Sequence, residues 1–178
     1  MATRFAAFED NHRAFIGAQH IFFVATAAAG GRVNLSPKGM DSLRVAGPNR
    51  VLWLNVTGSG NETAGHLIQS NRMTLMWCGF ETRPLILRAY GTARTVHRRD
   101  ADWPALAAQL PAIAGARQIF DMTVDLVQSS CGYAVPRFDH AGERDILLRW
   151  AEARGPDELA RYWDEKNRAT IDGAPTGI

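Results

Sequence analysis

Two runs, Val51-Leu-Trp-Leu-Asn-Val and Met73-Thr-Leu-Met-Trp, are apolar on both faces of an extended strand. The strand-forming runs around them do not alternate with crossover helices, which disfavours a doubly wound parallel sheet. An antiparallel barrel is the remaining solution, yet one barrel interior covers only one face of each strand. The other face must meet a helix or a second subunit, and the helices are few. The chain is therefore expected to form a homodimer.

The punctuation along the chain gives six strands. Ile21-Phe-Phe-Val-Ala-Thr-Ala ends at Gly30-Gly31, and a second strand follows from Arg32 to Ser36. Gly47-Pro48-Asn49 turns the chain into the third, residues 51–56, and residues 72–79 and 84–96 are the fourth and fifth. The sixth, 118–127, is the cleanest: Phe120, Met122, Val124 and Leu126 alternate with Asp121, Thr123 and Asp125. Helices are expected over 6–17, 60–70 and 100–109, then over 142–153 and 157–169 with Gly155-Pro156 between them. The fold class is thus mainly β with flanking helices: a six-stranded antiparallel barrel over residues 1–140, and a helical C-terminal extension over 141–178 packed on the same domain.

A chain of 178 residues can bury an adequate core without disulfides, so Cys78 and Cys131 read as free thiols. A net charge of +2 gives no reason to expect a nucleic-acid or membrane partner. Charged residues break the N-terminal apolar stretch before a secretory signal forms, and the longest apolar run is half a membrane span. A cytoplasmic protein is expected.

Three features bear on chemistry. If residues 33–38 are extended, Asn34, Ser36 and Lys38 share one face, and Val33, Leu35 and Pro37 turn the other toward the core. Such a polar row suits a ligand with a phosphate and hydroxyls, although a solvent-facing strand edge gives the same pattern. Thr57-Gly-Ser-Gly-Asn-Glu-Thr63 is a Gly-rich turn into a helix N-terminus, an anion-ready geometry, unless Ser59 and Glu62 only cap the helix. Arg88 shares a face with Ile86 and Tyr90, as an interfacial salt-bridge partner or a ligand contact. Trp77, Cys78 and Tyr133 could line a ring pocket or lie in plain core. The five histidines have no metal-ligand spacing, so no metal is expected, and His66 reads as a packing or hydrogen-bonding residue. No catalytic set of side chains is visible, which suits a protein whose cofactor carries the reaction.

The ordered segments "RVNLSPKG", "RVLWLNVTGSGNETAGHLIQSNRMTLMWC", "PLILRAYGTA" and "VQSSCGYAVP" resemble the pyridoxamine 5′-phosphate oxidase-related flavoproteins over about Phe15 to Tyr133. The resemblance implies a split β-barrel, a homodimer with two FMN sites between subunits, and an FMN-dependent oxidoreductase acting on a small-molecule substrate. It places Asn34, Leu35, Ser36, Pro37 and Lys38 against the isoalloxazine and ribityl chain. Asn55, Thr57, Asn61 and Thr63 would meet the ribityl-phosphate end, with Arg88 close by. The oxidase itself has basic residues at the helix start, where this chain has Asn61, Glu62 and Thr63. A carboxylate repels a phosphate, so Glu62 must turn away. That departure leaves room for deazaflavin F420, and a non-catalytic flavin- or haem-binding module is a further alternative. The helical C-terminus replaces the oxidase's basic substrate clamp, so pyridoxamine phosphate is not the expected substrate.

Overall fold

The computed structural model describes residues 2–81 and 83–178. Its strands are β1 (Thr3–Phe5), β2 (Phe22–Thr26), β3 (Asn34–Lys38), β4 (Leu43–Gly47), β5 (Arg50–Val56), β6 (Arg72–Cys78), β7 (Leu85–His97) and β8 (Ala116–Cys131). The helices are α1 (Asp10–Gly17), α2 (Glu62–Gln69), α3 (Trp103–Ala107) and α4 (Ile146–Lys166). All pairings are antiparallel in the order β3-β2-β6-β7-β8-β5-β4, with β1 added alongside β8. This is the expected mainly-β sheet with flanking helices, consistent with a split barrel. It is not closed, because β3 and β4 end the order without pairing among the described residues.

Among the described residues there are eight strands rather than six. β1 has three residues, too few to show a period. β4 is hidden because it begins after a turn with no glycine at its centre: Met40 and Asp41 take the left-handed region, at φ of 62° and 52°. It then forms a hairpin with β5 through the expected Gly47-Pro48-Asn49 turn. The C-terminal helical stretch breaks where expected, at Gly155 (φ 70°, ψ 174°), just before Pro156. Among the described residues no helix is long and apolar enough to cross a membrane. Both cysteines are free.

The main core joins the inner face of the sheet to α1 and α2 through Phe15, Phe22, Trp53, Trp77, Leu87 and Phe120. A second cluster, Leu52, Leu54, Val96 and Ile119, lies under Leu106 and Leu110. This resolves the two-faced character of β5: Val51 and Trp53 enter the main core, while Leu52 and Leu54 are covered by α3 and its loop. For β5 a helix, rather than a second subunit, supplies the cover. The outer face of β3, β2, β6 and β7 has no such cover among the described residues. There the cross-strand rows Leu35–Ala25–Thr74–Tyr90 and Pro37–Phe23–Met76–Arg88 are half-buried or exposed.

Candidate functional site

The register of β3 on β2 sets the direction of the polar row. Lys38 lies opposite Phe22, Ser36 opposite Val24 and Asn34 opposite Thr26, and those three β2 residues are buried on the core side. The row therefore faces inward, half-buried. The expectation that Val33, Leu35 and Pro37 turn toward the core is reversed: Val33 is 73% and Leu35 66% exposed. Alternation fixes that two faces differ, but only pairing decides which one is inside.

Behind the row is a buried polar network. The Asn34 side-chain amide donates to Thr26 Oγ1 and to Thr63 Oγ1, both at 3.2 Å. Thr26 Oγ1 is also 3.1 Å from Nδ1 of His66, which is the hydrogen-bonding residue expected. Deeper in, Asn55 Nδ2 donates to Gln118 Oε1 at 3.3 Å and reaches Asn61 Oδ1 at 3.5 Å. Thr57 is engaged in structure: its hydroxyl donates to the Gly115 carbonyl at 2.7 Å and accepts the Trp163 indole N–H at 2.8 Å. This pair ties α4 to the end of β5.

Glu62 does turn away, though not into a capping box. Asn61 takes the N-cap position, and both Glu62 carboxylate oxygens accept the Ile171 backbone N–H at 3.1 Å. The C-terminal tail supplies a donor that outcompetes the local cap. The first turn of α2 is thereby left without a carboxylate aimed into the polar network.

Sequence reasoning missed Arg117 and Gln118, at the start of β8. Arg117 is 4% exposed; Nη2 donates to the Gly60 carbonyl at 3.1 Å and Nη1 to Asn167 Oδ1. Its Nε, with Gln118 Nε2 and Asn61 Nδ2, is a buried donor lacking a partner among the described residues. No acid pairs with Arg117 or Lys38 among the described residues. Burial pushes Arg117 down to about 10. Burial first, and then the charge of Arg117, push Lys38 down to about 8, with its Nζ 5.4 Å from the Trp53 ring centroid. Arg117 shares a strand face with apolar Ile119, and a cation in such a row was the signal available.

Lys38 and Pro37, with Thr57, line a cavity of about 1380 Å³. Phe15, Phe80, Phe138, Trp150 and Tyr162 supply apolar wall, from α1, the β6–β7 connection, the β8–α4 connection and α4. A cavity with apolar walls and a half-buried ammonium at its edge suits a ring with an anionic tail.

Of the expected residues, Pro37, Lys38 and Thr57 line the cavity, while Asn34, Asn55, Asn61 and Thr63 lie in the polar network, with Ser36 on the same strand face as Asn34 and Lys38. The fold brings neither Leu35, which faces outward, nor Arg88 to either place. Arg88 is on the opposite face of the sheet, where Nη1 donates to Ser130 Oγ at 3.3 Å. Within one protomer it cannot join Lys38. Trp77 is core and Tyr133 is 83% exposed, so these two do not share a pocket.

The pyridoxamine 5′-phosphate oxidase family model matches residues 8–131. The chain is 32% identical, over 195 residues, to the pyridoxamine 5′-phosphate oxidase family protein ustO of Aspergillus flavus, covering 98% of this chain and 78% of that protein. Among solved structures, a putative pyridoxamine 5′-phosphate oxidase from Lactobacillus delbrueckii gives a TM-score of 0.54 at 17% identity, over 69% of this chain and 94% of its own. Group A Streptococcus HupZ gives 0.53 at 18% identity, over 67% and 91%. The two structures share the fold, while the family match and the fungal relative establish kinship, and the chain belongs to the pyridoxamine 5′-phosphate oxidase family.

Proposed function

We propose that the chain binds FMN and works as a homodimeric flavin-dependent oxidoreductase on a small-molecule substrate. One observation carries the reading: Arg117 is a buried cation and Lys38 a half-buried one, neither with an acidic partner among the described residues, and Asn61 and Gln118 carry buried donors without a partner there. Buried donors and charges are ordinarily satisfied, so this set calls for an anion rich in acceptor oxygens. A phosphate ester supplies one.

The residues fit the cofactor. Lys38, Arg117, Asn61 and Gln118 would hold the phosphate. Asn34 commits its amide N–H groups to Thr26 and Thr63, which leaves its carbonyl oxygen as an acceptor for a ring or ribityl donor. The apolar walls would take the ring and exclude water. Bound flavin supplies the electron transfer, and the protein's part is to hold, orient and shield it. Glu62, the sequence hint toward F420, is engaged by Ile171, so FMN is the preferred flavin.

A second copy would cover the outer face of β3, β2, β6 and β7. Leu35, Phe23, Met76, Ile86 and Tyr90 give that face an apolar centre, with Arg88 as its charge. Arg88 would then work across the interface rather than within its own protomer.

The test is titration of FMN into the flavin-free protein, followed by visible absorption and flavin fluorescence, with F420 and haem as comparison ligands. Saturable binding of about one FMN per chain, tighter than either comparison ligand, is expected. Absence of saturable FMN binding sinks the reading. FMN binding without turnover under any electron donor and acceptor reduces it to a flavin carrier.

A further inference from the structure

The spacing of the histidines excludes a local metal motif, but the fold brings distant groups together. His20, in the connection between α1 and β2, has its ring 3.6 Å from that of His140, in the connection between β8 and α4. Glu143 joins them: its Oε1 is 3.4 Å from His20 Nδ1 and 3.7 Å from His140 Nε2. One ligand atom from each of the three lies within 4.8 Å of the other two.

We propose that His20, His140 and Glu143 bind one divalent transition-metal cation, zinc or a metal of similar ligand preference. Two imidazole nitrogens and one carboxylate oxygen are a ligand set suited to such ions rather than to calcium or magnesium. With bonds of about 2.0–2.1 Å, neighbouring ligands in a tetrahedral zinc site are about 3.3 Å apart. The two contacts to Glu143, at 3.4 and 3.7 Å, are already close to that edge. A plain His–Glu contact explains one imidazole, whereas here two rings in contact present a nitrogen each to the same carboxylate oxygen. The small closure still required falls on exposed connections, which can move at little cost.

Three protein ligands leave an open coordination position. All three line the large cavity, so a ligand in that position would face its interior. The metal would also join the α1–β2 connection to the β8–α4 connection. The latter is otherwise held over the cavity by the Phe138 N–H bond to the Phe80 carbonyl, at 3.0 Å, and by the Phe80–Phe138 ring contact. The site uses none of the groups proposed to hold flavin, so it can be tested on the flavin-free chain.

The experiment is calorimetric titration of zinc chloride into the full-length chain after removal of metal by a chelator. About one saturable zinc per chain is expected, with His20→Ala and His140→Ala each weakening it at least about tenfold. Glu143→Gln should also weaken binding, and Cys131→Ser should leave it unchanged. Zinc should raise the Tm of the unsubstituted chain but not that of the His20→Ala/His140→Ala double variant. Both histidines are exposed, and an unaltered Tm without metal confirms that the variants fold. No saturable binding up to about 100 µM zinc, or binding that survives in the double variant, overturns the proposal.

Discussion

Half-buried Lys38 lies close enough to buried Arg117 that the guanidinium's charge helps hold the ammonium below its ordinary pKa, and no carboxylate pairs with either among the described residues. Two like charges in low dielectric destabilise the empty site. An anion bound near both, as proposed, would offset that repulsion. Lys38→Ala should therefore remove a charge-assisted contact of about 1.5–3 kcal/mol, roughly 10- to 150-fold in FMN affinity. Fluorescence titration of FMN checks it, and an unchanged affinity removes Lys38 from the site.

The same ammonium gives a pH signature. Its folded-state value, about 8, lies below the ordinary 10.5 because burial and Arg117 disfavour the charge. Between those values the unfolded chain binds more protons than the folded one, so the Lys38 contribution to stability rises with pH. Below about 8 the full cost of the buried charge is present. FMN affinity should move oppositely, falling as pH rises through about 8 and the ammonium is lost. Urea midpoints for the flavin-free chain and for Lys38→Met, at pH about 7 and about 9.5, test the first statement. The unsubstituted chain should gain stability relative to the variant at the higher pH.

Arg117→Met tests the coupling directly, since removing that charge should raise the Lys38 pKa. The sequence contains only two lysines, Lys38 and Lys166. Isotope-labelled lysine therefore gives two Cε signals, assigned by Lys166→Arg. An upward move of the Lys38 titration in Arg117→Met is the expected result. An unmoved titration places the guanidinium too far away to matter.

Much of the scaffold was legible because it follows from local pattern. The alternation in β8, the Gly47-Pro48-Asn49 hairpin and the break at Gly155 depend on residues adjacent in sequence. The inward turn of Asn34, Ser36 and Lys38 does not, because it is decided by the pairing of β3 with Phe22, Val24 and Thr26. Nor could β5 show that its second apolar face belongs to α3. Arg117 was illegible for a related reason: its guanidinium is held by Gly60 and Asn167, far away in the chain. The engagement of Glu62 by Ile171 is equally non-local.

Leu35 tests the dimer. Its side chain is 66% exposed on the uncovered face, beside Ala25 in the row that continues to Thr74 and Tyr90. Leu35→Glu should cost a lone protomer little, because the new carboxylate remains in water. In a dimer it would bury a charge at the interface, at several kcal/mol. Light scattering should show the variant as a monomer at concentrations where the unsubstituted chain is a dimer. The resemblance places the flavin between subunits, so FMN affinity should fall in the variant, where dimerisation is lost.

Glu62 separates electrostatics from scaffolding. With its carboxylate turned to Ile171, Glu62→Gln should leave FMN affinity within about twofold, since a charge facing the phosphate would change it by far more. Glu62→Ala should cost about 1 kcal/mol of stability through the lost contact to the tail. A large rise in FMN affinity for Glu62→Gln would show that the carboxylate does face the ligand.

Gly65 shows how tightly the tail is fitted against α2. Gly→Ala inside a helix ordinarily stabilises by about 0.5–1 kcal/mol, because alanine loses less backbone freedom on folding. Here a Cβ would lie 2.2 Å from Thr170 Cγ2 and 3.3 Å from the Pro175 carbonyl oxygen. The tail cannot easily retreat: Thr176 Oγ1 donates to the Asn167 carbonyl, Ile171 is held by Glu62, and Ala169 bridges Pro175. Overpacking should therefore win, and Gly65→Ala should destabilise by about 1–3 kcal/mol in urea unfolding. Thr170→Ser removes the clashing methyl while keeping the oxygen that accepts the Ala174 N–H. In that background Gly65→Ala should lose most of its cost, leaving the weaker Pro175 contact. A Gly65→Ala penalty of equal size with and without the Thr170 methyl would mean that the tail does not press on α2 at this point.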